Sequence, residues 1–337
     1  MISMPAGEPL EPQPFAVGCR TFTVVDAARN GRRLVAEVWY PAAQRVAQPY
    51  RYELLTGVEM VSAGAHAGGA PATGSFALVL FSHGRTGTRF AYATFCEALA
   101  ARGCVVVSSD HPGDGLLDWL GGTASDDRTN EVDRVADAHL LLESILGDQP
   151  VIDADLRAVI DEGGVVLAGH SYGAYTAFGA AAGSRGMPPH AHVRAVVGYQ
   201  AYTRTMSDAL LERLAVPALL VVGESDTVTP AAVDADRPWR LLGGAPVWRL
   251  DLAGAGHQAV SDIALYAELA VHVAELPTIV RDYLVATAAS STAAGAAPWR
   301  DVMRVELDVT WAFLQHVLRG DPADVDSVAS GARVSVR

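Results

Sequence analysis

The feature that most constrains this chain is a short apolar run that ends in a Gly-x-Ser-x-Gly motif. Residues 165–168 read Val-Val-Leu-Ala, the motif extends from Gly169 to Gly173, and small residues at helical spacing follow. This order predicts a buried strand, a sharp turn that exposes Ser171, and a helix. Neither glycine has a Cβ, so the strand and the helix can approach closely. The alternative is a glycine- and serine-rich turn without chemistry, which the partner residues described below argue against.

Further apolar runs alternate with helical patterns along the chain. We predict about eight strands, at residues 21–27, 34–39, 76–81, 104–108, 165–168, 193–197, 218–222 and 247–252. Such alternation predicts an α/β fold, with a mostly parallel, doubly wound sheet and helices on both faces. The first two strands should form an antiparallel pair, and residues 41–73 are expected to be irregular.

The pattern indicates one main domain over residues 21–320, because no internal repeat or second core is visible. Residues 1–20 are expected to form an N-terminal extension and residues 321–337 a polar tail. Residues 262–298 are mostly helical and unusually apolar, and Pro277 should interrupt them. We therefore expect this segment to form a helical flap.

Composition excludes several classes of function. The 337 residues carry a net charge of -13 without a Lys/Arg cluster, which argues against nucleic-acid binding. The three cysteines are too few and too scattered for a disulfide framework. No apolar run reaches membrane-spanning length, and residues 1–14 show no secretory signal. We therefore expect a cytoplasmic protein without a membrane span.

A serine nucleophile needs a base to take its proton and an acid to orient that base. Asp226 and His257 both follow predicted strands, in loops at the carboxyl ends where open α/β sheets build their sites. The chain order Ser171, Asp226, His257 is the order expected for a serine on such a strand–turn–helix. Glu224 is the alternative acid, although Asp226 should reach further into its loop.

Other histidines fit this chemistry less well. His190 and His192 are spaced like metal ligands, but their loop has no cysteine or acidic partner nearby, so we predict no metal site. His170 is adjacent to the serine and is expected to point into the sheet. Ser171, Asp226 and His257 therefore remain the predicted catalytic set.

The remaining predicted site residues bind the substrate. The backbone N–H groups of Tyr172 and Arg85 are the expected donors of an oxyanion hole, whereas the Arg85 side chain should face solvent. Leu116, Leu117 and Trp119, in the loop after the fourth predicted strand, are expected to wall an apolar pocket. Packing alone would explain Trp119 equally well.

Several motifs resemble those of one known group of enzymes. They are Phe81-Ser82-His83-Gly84, the Gly-x-Ser-x-Gly motif, Ser225-Asp226, and residues 257–262 (His-Gln-Ala-Val-Ser-Asp), together with Glu37-Val38-Trp39-Tyr40-Pro41. In these stretches the chain resembles the platelet-activating-factor acetylhydrolase and dienelactone-hydrolase-like branch of the α/β-hydrolases. Ala174 stands where that branch usually has another glycine. The resemblance implies an α/β-hydrolase fold and a cofactor-free serine esterase of small-molecule esters.

The sequence thus predicts cleavage of a carboxylic ester, thioester or lactone through an acyl-enzyme intermediate. One alternative is an acyltransferase or cyclase that uses the same three residues. The other is a non-catalytic binding protein on a hydrolase scaffold, which would not need all three. Acyl length and oligomeric state are left open by the sequence.

Overall fold

The computed structural model describes residues 2–4, 6–8, 10, 14–289, 297–322, 329 and 331–337. The strands are β1 (Ile2–Met4), β2 (Ala16–Asp26), β3 (Arg32–Ala42), β4 (Pro49–Leu55), β5 (Val58–Ala67), β6 (Phe76–Ser82), β7 (Cys104–Ser109), β8 (Ile160–His170), β9 (Val193–Tyr199), β10 (Ala218–Gly223), β11 (Val247–Leu252) and β12 (Arg333–Val336). The α-helices are α1 (Ala93–Arg102), α2 (Leu116–Leu120), α3 (Asp127–Leu146), α4 (Ala154–Arg157), α5 (Tyr172–Ala182), α6 (Asp208–Arg213), α7 (Ala231–Asp234), α8 (Asp236–Leu241), α9 (Ile263–Ala270), α10 (Thr278–Ala289) and α11 (Trp299–Arg319). A 3-10 turn, Ala27–Arg29, joins β2 to β3.

In the described part of the chain, all strands belong to one sheet. Its order is β1-β5-β2-β3-β7-β6-β8-β9-β10-β11-β12, and β4 pairs with β5 at one edge. The run from β7 to β11 is parallel, whereas β3 pairs antiparallel with both β2 and β7. β12 closes the other edge antiparallel to β11. The predicted α/β fold with a mostly parallel sheet is confirmed.

The central strands are apolar throughout because helices cover both faces of the sheet. In β6, Val79 and Phe81 point into the core cluster that includes α1 and α11, whereas Leu78 and Leu80 point into the cluster that includes α3 and α5. This alternation follows from the two-residue period of a strand. The helices therefore lie on both faces, as predicted.

The eight predicted strands are all present, as β2, β3 and β6 to β11, but the sheet is wider than expected. β4 and β5 lie in residues 41–73, which were expected to be irregular, and β1 lies in the N-terminal extension. The expected polar tail ends in β12. In the part of the chain that the structure describes, β1, β4 and β12 each pair on one side only, and in β5 buried residues alternate with partly buried ones. None of these four strands therefore carries the continuous apolar run by which the central strands are recognised.

The segment predicted as a flap contains α9 and α10, and α10 begins directly after Pro277. Residues 290–296 of the expected flap lie outside the described residues. None of the helices in the described residues is long and apolar enough to cross a membrane.

Candidate active site

The turn after β8 holds Ser171 in an unusual backbone conformation. Ser171 has φ 53° and ψ -117°, and its N–H donates to the carbonyl oxygen of Tyr199 at 2.9 Å. A Cβ on Gly169 would lie 2.3 Å from the carbonyl oxygen of Gly173, and a Cβ on Gly173 would lie 1.9 Å from that of Ser82. Both glycines are therefore required by close backbone contact. The turn presents the serine hydroxyl at the end of the strand, with α5 starting directly after it.

The structure brings the three predicted catalytic side chains together in one hydrogen-bonded line. Ser171 Oγ lies 3.0 Å from His257 Nε2, and His257 Nδ1 lies 2.8 Å from Asp226 Oδ2. All three residues are buried. Because a carboxylate only accepts hydrogen bonds, Nδ1 carries the proton and Nε2 is free to accept one from the serine.

The surroundings of Asp226 keep its carboxyl group ionised. The backbone N–H groups of Val228 and Thr229 donate to Oδ1, and the Thr229 hydroxyl donates to Oδ2 at 2.6 Å. Burial alone would raise the pKa of Asp226, but the hydrogen bond and charge of His257 and the Thr229 hydrogen bonds lower it to about 2. Asp226 is therefore a carboxylate at neutral pH.

Glu224, the alternative acid, lies elsewhere. Its half-exposed side chain is 3.6 Å from the guanidinium of Arg333, and its backbone N–H donates to the carbonyl oxygen of Leu252. The position beside His257 is occupied by Asp226. The two-residue offset matters because Glu224 directly follows β10, whereas Asp226 lies one turn into the loop.

The two backbone N–H groups that the sequence predicts as oxyanion donors are those of Tyr172 and Arg85. Within the described residues, no acceptor takes the N–H of Tyr172 or that of Arg85. The loop that carries Arg85 lies against the nucleophile, because a Cβ on Gly84 would lie 3.4 Å from the Cβ of Ser171. The Arg85 guanidinium itself is half-exposed and pairs with Asp127, as expected for a solvent-facing side chain.

A cavity of about 320 Å³ opens over Ser171 and His257. Its lining includes loop residues 84–88 and Leu116, together with Tyr283, Leu284 and Thr287 of α10. The α10 part of the expected flap thus lines the cleft. A side chain there can contact whatever group occupies the space next to Ser171.

Only one of the three predicted pocket residues lies in this cavity. Leu116 lines it, but Leu117 and Trp119 do not, and these two side chains are 64% and 53% exposed. The expectation for Leu117 and Trp119 is therefore corrected. They belong to the five-residue helix α2, which can turn only part of its surface to the cleft. Trp119 instead lies with its ring 6.4 Å from that of Tyr283.

A second, larger cavity of about 500 Å³ lies between β5, α1 and the N-terminal residues. Its lining includes Met60, Ala98 and Leu265, and it contains none of the predicted catalytic residues. We therefore place the candidate active site in the smaller cavity over Ser171, because that cavity contains predicted catalytic residues and the larger one does not.

Several buried polar residues around the site were not predicted from the sequence. The Thr229 hydroxyl donates a hydrogen bond to Asp226. Arg134 is fully buried, and both of its terminal nitrogens donate to the carbonyl oxygen of His83 at 2.9 Å. Its Nε pairs with Asp114 at 2.7 Å. The sequence signal for Arg134 is weak, because α3 also carries Arg128 and several acidic residues, and only the fold shows which arginine is buried. The spacing of Asp226 and Thr229 was the signal for the threonine, because an Asp often accepts from N–H groups two and three residues on.

His190 and His192, which are spaced like metal ligands in the sequence but were not predicted to bind a metal, have ring centres 5.8 Å apart. Among the described residues, no group of three or more His, Cys, Asp or Glu side chains is arranged to hold a metal ion. Cys19, Cys96 and Cys104 are buried free thiols.

Comparison with known proteins identifies the family. A model described as "Alpha/beta hydrolase family" matches residues 79–335, which is more than half of the chain. Among solved structures, the fold is similar to that of a ferulic acid esterase from Streptomyces cinnamoneus, with a TM-score of 0.70, 19% sequence identity and coverage of 99% of each chain. No curated protein sequence matches the chain.

Proposed function

Because this chain belongs to the α/β-hydrolase family, we propose that it is a serine esterase that cleaves a carboxylic ester through an acyl-enzyme intermediate. The observation that carries the proposal is the line from Ser171 Oγ to His257 Nε2 at 3.0 Å and from His257 Nδ1 to Asp226 at 2.8 Å. A serine, a base and an oriented acid in this order are what acyl transfer requires.

In the first half of the reaction, His257 Nε2 takes the Ser171 proton as Oγ bonds to the ester carbonyl carbon. The electron pair of the carbonyl π bond moves onto oxygen, and this oxyanion accepts hydrogen bonds from the N–H groups of Tyr172 and Arg85. When the intermediate collapses, the bond from carbon to the alcohol oxygen breaks, and His257 gives its proton to the departing alcohol. Asp226 stabilises the imidazolium formed in between.

In the second half, a water molecule gives a proton to His257 and attacks the acyl carbon. The same two N–H groups hold the second oxyanion. Its collapse breaks the bond to Ser171 Oγ, which regains a proton from His257, and the carboxylic acid leaves. The ester and one water molecule are the only reactants, and no atom changes its oxidation state.

The cleft supports an ester with a small apolar or aromatic group beside the serine. Leu116, Leu284 and Tyr283 offer apolar and aromatic surface within a cavity of about 320 Å³. The solved structure with the similar fold is called a ferulic acid esterase, so hydroxycinnamoyl esters join short aryl esters as the first substrates to test. Membership in the platelet-activating-factor acetylhydrolase and dienelactone-hydrolase-like branch, and a cytoplasmic location, also remain proposals that rest on the sequence.

The test is hydrolysis of 4-nitrophenyl acetate, 4-nitrophenyl butyrate and methyl ferulate by the wild type and Ser171→Ala. We expect turnover by the wild type and none above background by Ser171→Ala at an unchanged Tm. Equal rates for the two proteins would overturn the proposal. Repeating the 4-nitrophenyl butyrate assay with added methanol separates hydrolysis from acyl transfer, because a transferase forms methyl butyrate in place of butyric acid.

A further inference from the structure

A buried chain of hydrogen bonds links the predicted oxyanion loop to the predicted base. The Gly84 N–H donates to the Tyr92 hydroxyl oxygen at 3.0 Å, and that oxygen lies 2.8 Å from His170 Nδ1. His170 Nε2 lies 2.6 Å from the backbone carbonyl oxygen of His257. The chain thus begins one residue before Arg85 and ends on the main chain of the base itself.

Each proton in this chain can be assigned. A carbonyl oxygen only accepts, so His170 Nε2 carries the hydrogen that is donated to His257. Burial, together with the nearby His257, lowers the pKa of His170 to about 3, so its ring is neutral and Nδ1 is an acceptor. The Tyr92 hydroxyl therefore donates to Nδ1 and accepts from Gly84. Burial raises the pKa of Tyr92, so the hydroxyl keeps its proton.

The oxyanion loop is held from its other side as well. Arg134 donates to the carbonyl oxygens of His83 and Gly84, at 2.9 Å and 3.3 Å from Nη2. The polar groups of Gly84 are therefore used on both sides, by Tyr92 and by Arg134. The next donor along the chain is the N–H of Arg85, which has no acceptor among the described residues.

The loop of the base is attached to the same place. Asp262, five residues after His257, accepts from the N–H of Thr94 at 3.0 Å and donates its own N–H to the carbonyl oxygen of Ala91 at 2.9 Å. Tyr92 lies between these two residues, at the start of α1. The start of α1 is thus the common anchor of the oxyanion loop and the His257 loop.

We propose that Tyr92 and His170 are positioning residues that set the Arg85 N–H and the His257 imidazole at the separation that the tetrahedral intermediate requires. This inference rests on the proposed esterase function and deepens it. Neither side chain is assigned a reacting atom, and both act through the backbone of the groups they hold.

The expected effect falls on the transition state. An oxyanion forms only there, so a misaligned donor should lower kcat while the KM of the substrate changes little. Loss of one complete oxyanion donor typically lowers kcat on the order of 100- to 1,000-fold. Because misalignment weakens the Arg85 donor without removing it, we expect a fall of about 10- to 100-fold.

The first test is Tyr92→Phe, which keeps the ring packed on Phe81 and removes only the hydroxyl. We expect kcat for 4-nitrophenyl butyrate to fall by about 10- to 100-fold, with KM within about threefold. The affinity for a trifluoromethyl ketone, which forms a tetrahedral adduct on Ser171, should fall in parallel with kcat/KM. Tyr52→Phe is the matched control, because it removes a buried hydroxyl that bonds Glu97 and Trp39 away from the cleft, and its kcat should equal that of the wild type.

The second test compares two variants of His170. His170→Gln offers an N–H donor and an acceptor oxygen, whereas His170→Leu offers neither. We expect the glutamine variant to keep more kcat than the leucine variant. If Tyr92→Phe does not fold, this comparison decides alone.

The proposal is overturned if folded Tyr92→Phe keeps the wild-type kcat and ketone affinity, if KM alone changes, or if the two His170 variants have the same kcat. In each of these cases Ser171-dependent hydrolysis by the wild type would leave the esterase function standing. Absence of Ser171-dependent hydrolysis in the wild type would instead overturn the proposed function.

Discussion

Glu306 gives the prediction whose magnitude follows most directly from the structure. This residue of α11 is fully buried, its Oε1 accepts from Gln200 Nε2 at 3.1 Å, and its Oε2 has no hydrogen-bond partner among the described residues. Burial raises the pKa of Glu306 to about 8, and the single hydrogen bond from Gln200 offsets this only in part. An ordinary glutamate in an unfolded chain titrates near pH ~4.3.

The sign of the effect follows from proton linkage. Between pH ~4.3 and ~8 the folded state binds more protons at this site than the unfolded state, so stability falls as the pH rises. The contribution of protonated Glu306 to the free energy of unfolding is fully present below pH ~4.3 and is lost as the pH rises through the pKa of Glu306 in the folded state. At about 1.4 kcal/mol for each pKa unit, the total loss is at most about 5 kcal/mol.

The perturbation is Glu306→Gln, which keeps the shape and the acceptor oxygen but does not ionise. We expect the free energy of unfolding of this variant to exceed that of the wild type by an amount that grows from pH 5 to pH 9, up to about 5 kcal/mol. Urea denaturation at pH 5, 7 and 9 measures it, with Glu212→Gln on the exposed face of α6 as control. A difference that stays constant from pH 5 to pH 9 would refute the reasoning, and the control should follow the wild type.

Further predictions concern the acid and the cleft. Asp226→Asn should lower kcat on the order of 10⁴-fold, since an amide cannot hold His257 in the required tautomer. Glu224→Gln should leave kcat nearly unchanged. If Glu224→Gln instead lowers the kcat of ester hydrolysis more than Asp226→Asn does, the acid is Glu224. Leu116→Trp should lower kcat/KM for methyl ferulate far more than for 4-nitrophenyl acetate, because Leu116 lines the cavity, whereas Leu117→Trp should change neither. Equal effects of the two tryptophan variants on methyl ferulate would contradict the placement of the cleft.

The parts of the site that were predictable from the sequence are those fixed by local pattern and chain order. The apolar run, the two glycines and the helix pattern around Ser171 specify a strand–turn–helix, and the loops after β10 and β11 must then lie at the same sheet edge. This is why Asp226 and His257 could be placed beside the serine without a structure. Their roles in catalysis remain predictions until they are measured.

The rest depends on orientations that a linear pattern does not contain. Leu117 and Trp119 were expected in the pocket because their loop is apolar, but the rotation of a five-residue helix decides which side chain faces the cleft. Tyr92, His170 and Arg134 bond to groups far away in sequence, so no local spacing indicates their partners. β5 was missed because its buried residues alternate with partly buried ones, and the edge strand β12 was missed because none of its residues is buried, so neither strand carries a continuous apolar run.

The most direct test of the central claim is covalent labelling of the intact protein with a fluorophosphonate. Such a reagent reacts with a serine whose hydroxyl is activated by a neighbouring base. We predict one adduct for each chain, located by peptide mass spectrometry on Ser171, with labelling slowed by a competing ester and strongly reduced in His257→Gln. Absence of an adduct on Ser171, or labelling of another serine at an equal rate, would contradict the account.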